Sequence, residues 1–336
     1  MSMKILFGAA DHIDKQDAPA HETFEARLKL ARIYDEAGFY AYHVTEHHFT
    51  PLGLAPSPNI FIAAASQVTT KLRFAPMVLV LPLYDPLRLA SEICMIDHMT
   101  KGRYEFAVGR GISPYELAYY NVSHLDAPHK FREGLQVLLA ALTQDRVDFS
   151  GEFFKYRSVP IELSPYQKPL PPMWFATGNE AGAADAARRG LNLVLNKPAA
   201  AAAPIIDIFR RTWREHHGAS SKPQPKTGIM RGIFLDENAE RARETGMRHH
   251  RTWVEKFNYL WNKFDPRMQD PQMAEKMASG TMFMGDPAGA RAWVAQEIET
   301  SGADYLIGRF AFGNMTFEES ARSVGLFAQD VMPAFR

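Results

Sequence analysis

Cysteine is nearly missing from this chain. Cys94 is the only one in 336 residues, so neither an intrachain disulfide nor a cysteine-built zinc site can form. An excess of one charge is missing too: 38 Lys and Arg stand against 38 Asp and Glu. A nucleic-acid binder held by phosphate contacts needs a basic surplus, and this sequence has none. Long apolar runs are also absent. The longest uncharged apolar stretch, residues 74–84, holds two prolines and is too short to span a bilayer. The opening MSMKILFGAADHID has a short apolar run with Asp11, His12 and Asp14 close behind. It predicts a first strand, not a secretion signal. With Cys94 read as a reduced, buried helix residue, the expectation is a cytoplasmic protein without a membrane partner.

What is present is an ordinary globular composition, 46% apolar and 23% charged. The length allows two domains, or one α/β barrel that uses all of it. Short β-branched and apolar runs alternate with amphipathic stretches. Strands are predicted at 4–9, 40–45, 72–81 and 104–109, and helices at 24–38, 59–69, 87–99 and 131–142. In the first helix Phe24, Leu28, Ala31 and Tyr34 recur at three-to-four spacing, and Gly38 closes it. The segment 146–172 breaks the rhythm with five prolines and predicts a surface hairpin excursion. Strands resume at 173–176, 191–195, 228–235 and 305–310. Helices are predicted at 180–189, 200–217, 238–263, 287–301 and 317–334. Strict alternation means a parallel sheet. About eight such units favour a closed (β/α)8 barrel, a TIM barrel with insertions, over an open sheet. No composition shift marks a second domain, so 1–336 is read as one.

In such a barrel the active site lies at the C-terminal ends of the strands. The first strand ends in Asp11-His12, and the second in Glu46-His47-His48. Side chains alternate along a strand, so the two adjacent histidines point opposite ways and do not share one metal. A metal hydrolase would need Asp11 and His12 as further ligands, and no metal is expected. Gly109-Arg110-Gly111 follows the fourth strand. It is not a dinucleotide fingerprint, because Pro114 stands where the third glycine belongs. A fixed cation between glycines suits a phosphate; a salt bridge at the barrel rim suits it equally. After the fifth strand, Gly178 and Gly182 bracket a helix start, where free N–H groups favour an anion. Asn196 follows the sixth strand, and Arg309 lies in the eighth.

These motifs together resemble the bacterial luciferase-like flavin monooxygenases. The resemblance is carried by Thr45-Glu46-His47-His48-Phe49, Val80-Leu81-Pro82-Leu83-Tyr84-Asp85-Pro86-Leu87-Arg88 and Ile96-Asp97-His98-Met99-Thr100-Lys101-Gly102-Arg103. It continues through Gly109-Arg110-Gly111 and Arg309-Phe310-Ala311-Phe312-Gly313, and so covers nearly the whole chain. It implies a (β/α)8 barrel that binds reduced FMN, supplied by a separate flavin reductase. It further implies O2 activation at the flavin and oxygen insertion into an organic substrate. His47 matches the catalytic histidine, and Arg110 the phosphate-binding arginine. Gly178, Asn179 and Gly182 match the phosphate loop, and Met77-Val78 the segment beneath the flavin ring. Glu46 and Asn196 are counted with the cofactor-binding residues, and His48 is given a supporting role. The luciferase α chain has a reactive cysteine where this chain has Gly109, so no thiol chemistry is expected there.

The resemblance also implies a homodimer, built through the helices at 59–69 and 87–99. The expected activity is an FMNH2- and O2-dependent monooxygenase acting on a small, fairly apolar substrate. The alternatives are an F420-dependent oxidoreductase and a flavin-binding protein without turnover. The long segment 265–285 is Met-rich and punctuated by Pro and Gly, and is expected to be a lid over the flavin; the alternative is a short helix at 272–278, docked on the barrel wall.

Overall fold

A computed structural model describes residues 5–218, 223–265 and 270–336. Lys4 of the expected first strand, and Pro266 and Met268 of the expected lid, lie outside the described residues. The elements run β1 (Leu6–Asp11), α1 (Ala20–Ala37), β2 (Ala41–Val44), α2 (Pro58–Gln67), β3 (Arg73–Pro76), β4 (Leu79–Val80), α3 (Pro86–Met99), β5 (Phe106–Gly109), α4 (Pro114–Tyr119) and α5 (Ala127–Thr143). Next come β6 (Arg146–Ser150), β7 (Lys155–Pro160), β8 (Met173–Ala176), α6 (Glu180–Arg189), β9 (Asn192–Leu195), α7 (Ala199–His217), β10 (Thr227–Leu235), α8 (Ala239–Phe257) and α9 (Tyr259–Phe264). Last come α10 (Met273–Ala278), β11 (Met282–Gly285), α11 (Pro287–Ser301), β12 (Tyr305–Arg309) and α12 (Phe317–Leu326).

The sheet runs β3-β2-β1-β12-β10-β9-β8-β5-β4, with β11 beside β10. Every pairing within it is parallel. A further bridge, Phe74 to Tyr104, joins β3 to the residues just ahead of β5 and closes the order. The result is the expected parallel barrel. β3 and β4 share one barrel position, interrupted at the cis Met77–Val78 peptide.

Two apolar layers hold it together. Between barrel and helices lies a continuous core that includes Leu30, Val44, Ile93, Leu138, Phe209 and Leu306. Inside the barrel, Trp174 and Tyr305 are packed among the small residues Ala10, Ala75 and Ala107. Large side chains fit there because their neighbours are small. A Cβ on Gly8 would stand 1.8 Å from the Tyr305 hydroxyl, so only glycine permits that ring. Two polar pairs lie among them: Trp174 Nε1 donates to Glu105 at 2.5 Å, and Tyr305 meets His43 Nε2 at 2.8 Å. Burial pushes the Cys94 thiol up to about 11. Among the described residues no helix is long and apolar enough to cross a membrane.

The structure departs from the sequence-based expectations in several places. The strand expected at 72–81 is two short ones, β3 and β4, and the helix expected at 317–334 ends as α12 at Leu326. The short helix α4 was not expected. The helix at 238–263 breaks at Asn258 into α8 and α9. The excursion at 146–172 is an antiparallel hairpin only as far as Pro160. The segment 265–285 contains the helix weighed as the alternative there, α10, and also an unexpected ninth strand, β11, paired to the outer half of β10 from Gly232 to Leu235.

Candidate active site

One cavity of about 750 Å³ opens at the C-terminal ends of the strands. That volume is within the range of small-molecule and cofactor sites. Glu46, His47, Met77, Val78, Arg110, Gly178, Asn179 and Asn196 all border it; Gly182 does not.

At the inner end, β2 runs out into Glu46, His47 and His48, and each has a different task. Glu46 is buried and fully engaged. One oxygen meets His48 Nε2 at 2.8 Å; the other accepts from the Val80 N–H and the Tyr84 hydroxyl, both at 2.9 Å. His48 is held at its second nitrogen by the Tyr120 hydroxyl at 2.9 Å. These groups fix the wall and leave no proton to exchange. His47 borders the cavity, and its Nδ1 faces Glu116 Oε1 at 3.2 Å. The other Glu116 oxygen accepts the His48 N–H at 2.8 Å. A carboxylate can only accept, so neutral His47 carries its proton on Nδ1. Its Nε2 is then the atom free to take or give one.

Glu116 belongs to α4, whose N-cap Ser113 accepts the Glu116 N–H at 3.3 Å. Sequence reading missed both helix and carboxylate. The signal was there: Ser113-Pro114 ahead of Glu116 is a helix start with an acid in its first turn. His12, considered earlier only as a metal ligand, stacks on His47 at 5.7 Å between ring centroids. Burial, aided by Arg309, drives its pKa well down, so it is neutral. Its Nδ1 and the Thr45 Oγ1 are buried without partners among the described residues, and both residues border the cavity. Asp11 does not turn toward a metal. It pairs with Arg27 at 2.7 Å and accepts from the Tyr42 hydroxyl at 2.8 Å. Among the described residues no group of three His, Cys, Asp or Glu is placed to hold an ion.

The middle of the cavity is shaped by close approach. A Cβ on Gly109 would lie 2.5 Å from Val78 Cγ2, so glycine lets that segment pack under the cavity. Gly111 has φ +82°, a left-handed turn that a side chain resists.

The outer end is cationic. Arg110 is exposed and has no ion-pair or hydrogen-bond partner among the described residues. Lys197, not anticipated from the sequence, packs its Cε 3.1 Å from where a Gly178 Cβ would sit. α6 starts between these cations. Its cap Asn179 accepts the Gly182 N–H at 2.9 Å, so that N–H is already taken. A side chain at Gly182 would meet Thr177 Oγ1 at 2.4 Å. The first-turn N–H groups of Glu180 and Ala181 remain for an outside acceptor. The arrangement can therefore anchor an anion at the rim and handle a proton at the floor.

The luciferase-like monooxygenase family model matches residues 3–305. The protein y4wF of Sinorhizobium fredii, itself uncharacterized, is 32% identical over 335 residues, 98% of this chain and 97% of that one. The oxygenase component of the flavin-dependent trigonelline monooxygenase of Acinetobacter baylyi is 26% identical over 174 residues, 51% of this chain and 48% of that one. The crystal structure of monooxygenase RslO1 from Streptomyces bottropensis superposes with a TM-score of 0.87 at 25% identity, covering 99% of this chain and 100% of that one. With a family match over most of its length, and with the barrel and cavity described above, the chain belongs to the luciferase-like monooxygenases, a family of flavin-dependent enzymes.

Proposed function

We propose that this protein is the oxygenase component of an FMNH2- and O2-dependent monooxygenase. The observation that carries the proposal is the polarity of the cavity at the strand ends: cations without partners among the described residues at its rim, a carboxylate-oriented imidazole at its floor. Arg110, Lys197 and the first turn of α6 hold the phosphate. Met77, Val78 and Leu83 give the middle an apolar lining. Thr45 Oγ1 and His12 Nδ1, buried without partners, offer polar contacts to the ring edge. Reduced FMN, when bound, supplies the electrons and the oxygen chemistry. The protein's part is to orient it, exclude water and move a proton at His47 Nε2. A separate flavin reductase delivers the cofactor, a role that the relative named as an oxygenase component supports.

The test is cofactor discrimination followed by turnover. Wild type should bind FMN about ten- to hundredfold more tightly than riboflavin, the usual worth of a charge-assisted contact, and Arg110→Met should erase most of that gap. Supplied FMNH2 should then support oxygen uptake coupled to a member of an organic substrate panel. Absence of the FMN preference would remove the phosphate site. Binding of F420 in place of FMN would move the enzyme to the F420-dependent oxidoreductases.

A homodimer belongs to the same proposal. On α2 and α3, Ile60 is 74% exposed, Met95 54% and Met99 45%. Three large apolar side chains on adjacent helices suit a subunit contact, although Ile62 beside them is buried against the barrel. Sedimentation at micromolar concentration should give twice the 37.9 kDa of one chain; a monomer there rejects the dimer.

A further inference from the structure

Beside the large cavity lies a second one of about 250 Å³, which shares Asn196 and Met230 with it. Its walls come from β10, α8, α10 and the end of β12. Arg309 forms one side, and its environment is unusual. The residue is only 7% exposed. Its guanidinium carbon lies 3.7 Å from the centroid of the Trp253 ring. Its side chain has no hydrogen bond or ion pair among the described residues, and its Nε is fully enclosed without a partner there. The two other deeply buried arginines are both paired, Arg27 with Asp11 at 2.7 Å and Arg231 with Glu297 at 2.6 Å. The buried carboxylates Asp14 and Asp11 act on Arg309 only at a distance, and each already pairs with another cation, Lys256 at 3.2 Å and Arg27 at 2.7 Å. A buried cation with no counter-ion in contact is costly. A fold that keeps one at the edge of an active site holds it for a ligand.

We propose that Arg309, laid on the Trp253 ring, receives the carboxylate of the substrate. This deepens the monooxygenase assignment and rests on it: the expected fairly apolar substrate becomes a small organic acid with an apolar body. Four observations support the choice. The guanidinium fork matches a planar carboxylate with two parallel hydrogen bonds. The Trp253 indole N–H is also buried without an acceptor among the described residues, so a second donor is available in the same wall. The site carries one positive charge that no carboxylate among the described residues pairs with directly. Lys276 on its border is paired to Asp270 at 2.7 Å. His250 donates through Nε2 to the Ala274 carbonyl at 3.0 Å, and burial with Arg309 nearby lowers its pKa to about 4, so it stays neutral. A single charge fits a carboxylate better than a phosphate dianion. Met230, Met277 and Trp253 supply the adaptable apolar wall for the rest of the molecule.

The location also fits. His47 stacks on His12 at 5.7 Å, and His12 meets Trp253 edge-on at 5.5 Å. Two ring contacts thus separate the proton-handling imidazole from the ring that carries Arg309. A substrate anchored there extends through the shared Asn196 and Met230 border toward the cofactor cavity.

Benzoate and its neutral isostere benzamide are the probes, measured by calorimetry on the full-length protein without flavin. Wild type should prefer benzoate by about ten- to hundredfold. Arg309→Met should abolish the preference, and Arg309→Lys should keep part of it, since a point charge replaces the fork. Met277→Trp fills the pocket from the α10 side and leaves the cation in place. It should remove benzoate binding without changing FMN affinity, and it serves if Arg309→Met does not fold. Equal binding of the two probes by wild type overturns the proposal. So does a preference that survives Arg309→Met, or benzoate binding that survives Met277→Trp. Loss of the FMN-over-riboflavin preference in Arg309→Met would assign the guanidinium to the phosphate instead. Because the probes are read without flavin, failure here and failure of the flavin assignment are separate results.

Discussion

The two sides of the barrel mouth are built on opposite plans. On the side of β2, β4 and α4, the carboxylates are fully committed: Glu46 serves His48, Val80 and Tyr84, and Glu116 serves His47 and the His48 N–H. On the side of β12, α8 and α10, buried donors have no acceptors among the described residues: Arg309 Nε and the Trp253 indole N–H both lack one. A committed wall is preorganised and suits chemistry that is the same in every turnover. An uncommitted wall lined by Met230 and Met277 is completed by its ligand and suits a substrate that differs from one enzyme to the next. The difference teaches where to look for specificity.

The largest effect that can break this comparison is acid destabilisation of the uncommitted side. Burial lowers the pKa of His250 to about 4. The unfolded chain, with a histidine value near 6.5, therefore binds the proton first as pH falls. The contribution is fully present above pH 6.5 and is lost as pH falls toward 4. It amounts to up to about 3 kcal/mol. Asp14 works the other way. Its carboxyl is pushed up to about 6 by burial, so what it contributes is full below the unfolded value near 3.9 and is lost as pH rises through 6. His43, also lowered to about 4 by burial, adds to the histidine side, and the histidines should dominate. The denaturant midpoint should be clearly lower at pH 4.5 than at pH 7, and His250→Gln should shrink that difference. An identical difference in the variant would mean that His250 does not bear this load.

The next effect is on turnover at the committed side. His47→Ala should lose roughly 10²-fold or more, the usual range for a positioned acid–base group, while FMN affinity holds. Stopped-flow kinetics with supplied FMNH2 give the first number, and a binding titration the second. Turnover within a factor of two of wild type would take His47 out of the chemistry.

Much of this was legible before any coordinates. The alternation of apolar runs and amphipathic stretches set the barrel, because each parallel strand needs a helix to return the chain. The strand ends then named the cavity: His47, Arg110, Gly178 and Asn196 all border it. What sequence could not show was pairing. Nothing in the order of residues says that Glu116 reaches back to His47, or that Asp11 is satisfied by Arg27 and so unavailable to a metal. Nor does it say that the Gly182 N–H is consumed by its own helix cap. β11 was hidden for a different reason. Its four residues, Met282–Gly285, sit among prolines, glycines and methionines that read as loop, and only the outer half of β10 makes them a strand. Arg309 was visible as a strand-end residue, but its lack of a partner is a fact of packing.

The smallest effect sharpens the comparison most, because it tests commitment itself. Glu116 must accept from two donors at once, His47 Nδ1–H and the His48 N–H. Glu116→Gln keeps the volume and changes one acceptor into an amide NH2. The His48 N–H belongs to the backbone and cannot adapt, so the amide oxygen goes to it. The NH2 then faces His47 Nδ1, which must become the acceptor. The proton of neutral His47 moves to Nε2, the wrong nitrogen for a base facing the cavity. Turnover should fall roughly tenfold, the scale of one hydrogen bond to a charged group, with FMN affinity unchanged. If Glu116 acts only through His47, Glu116→Gln made in a His47→Ala background should cost almost nothing further. A full tenfold loss in that background would mean that Glu116 steadies α4 and the rim rather than the imidazole. Both walls would then be scaffolding around a site whose proton handling lies elsewhere.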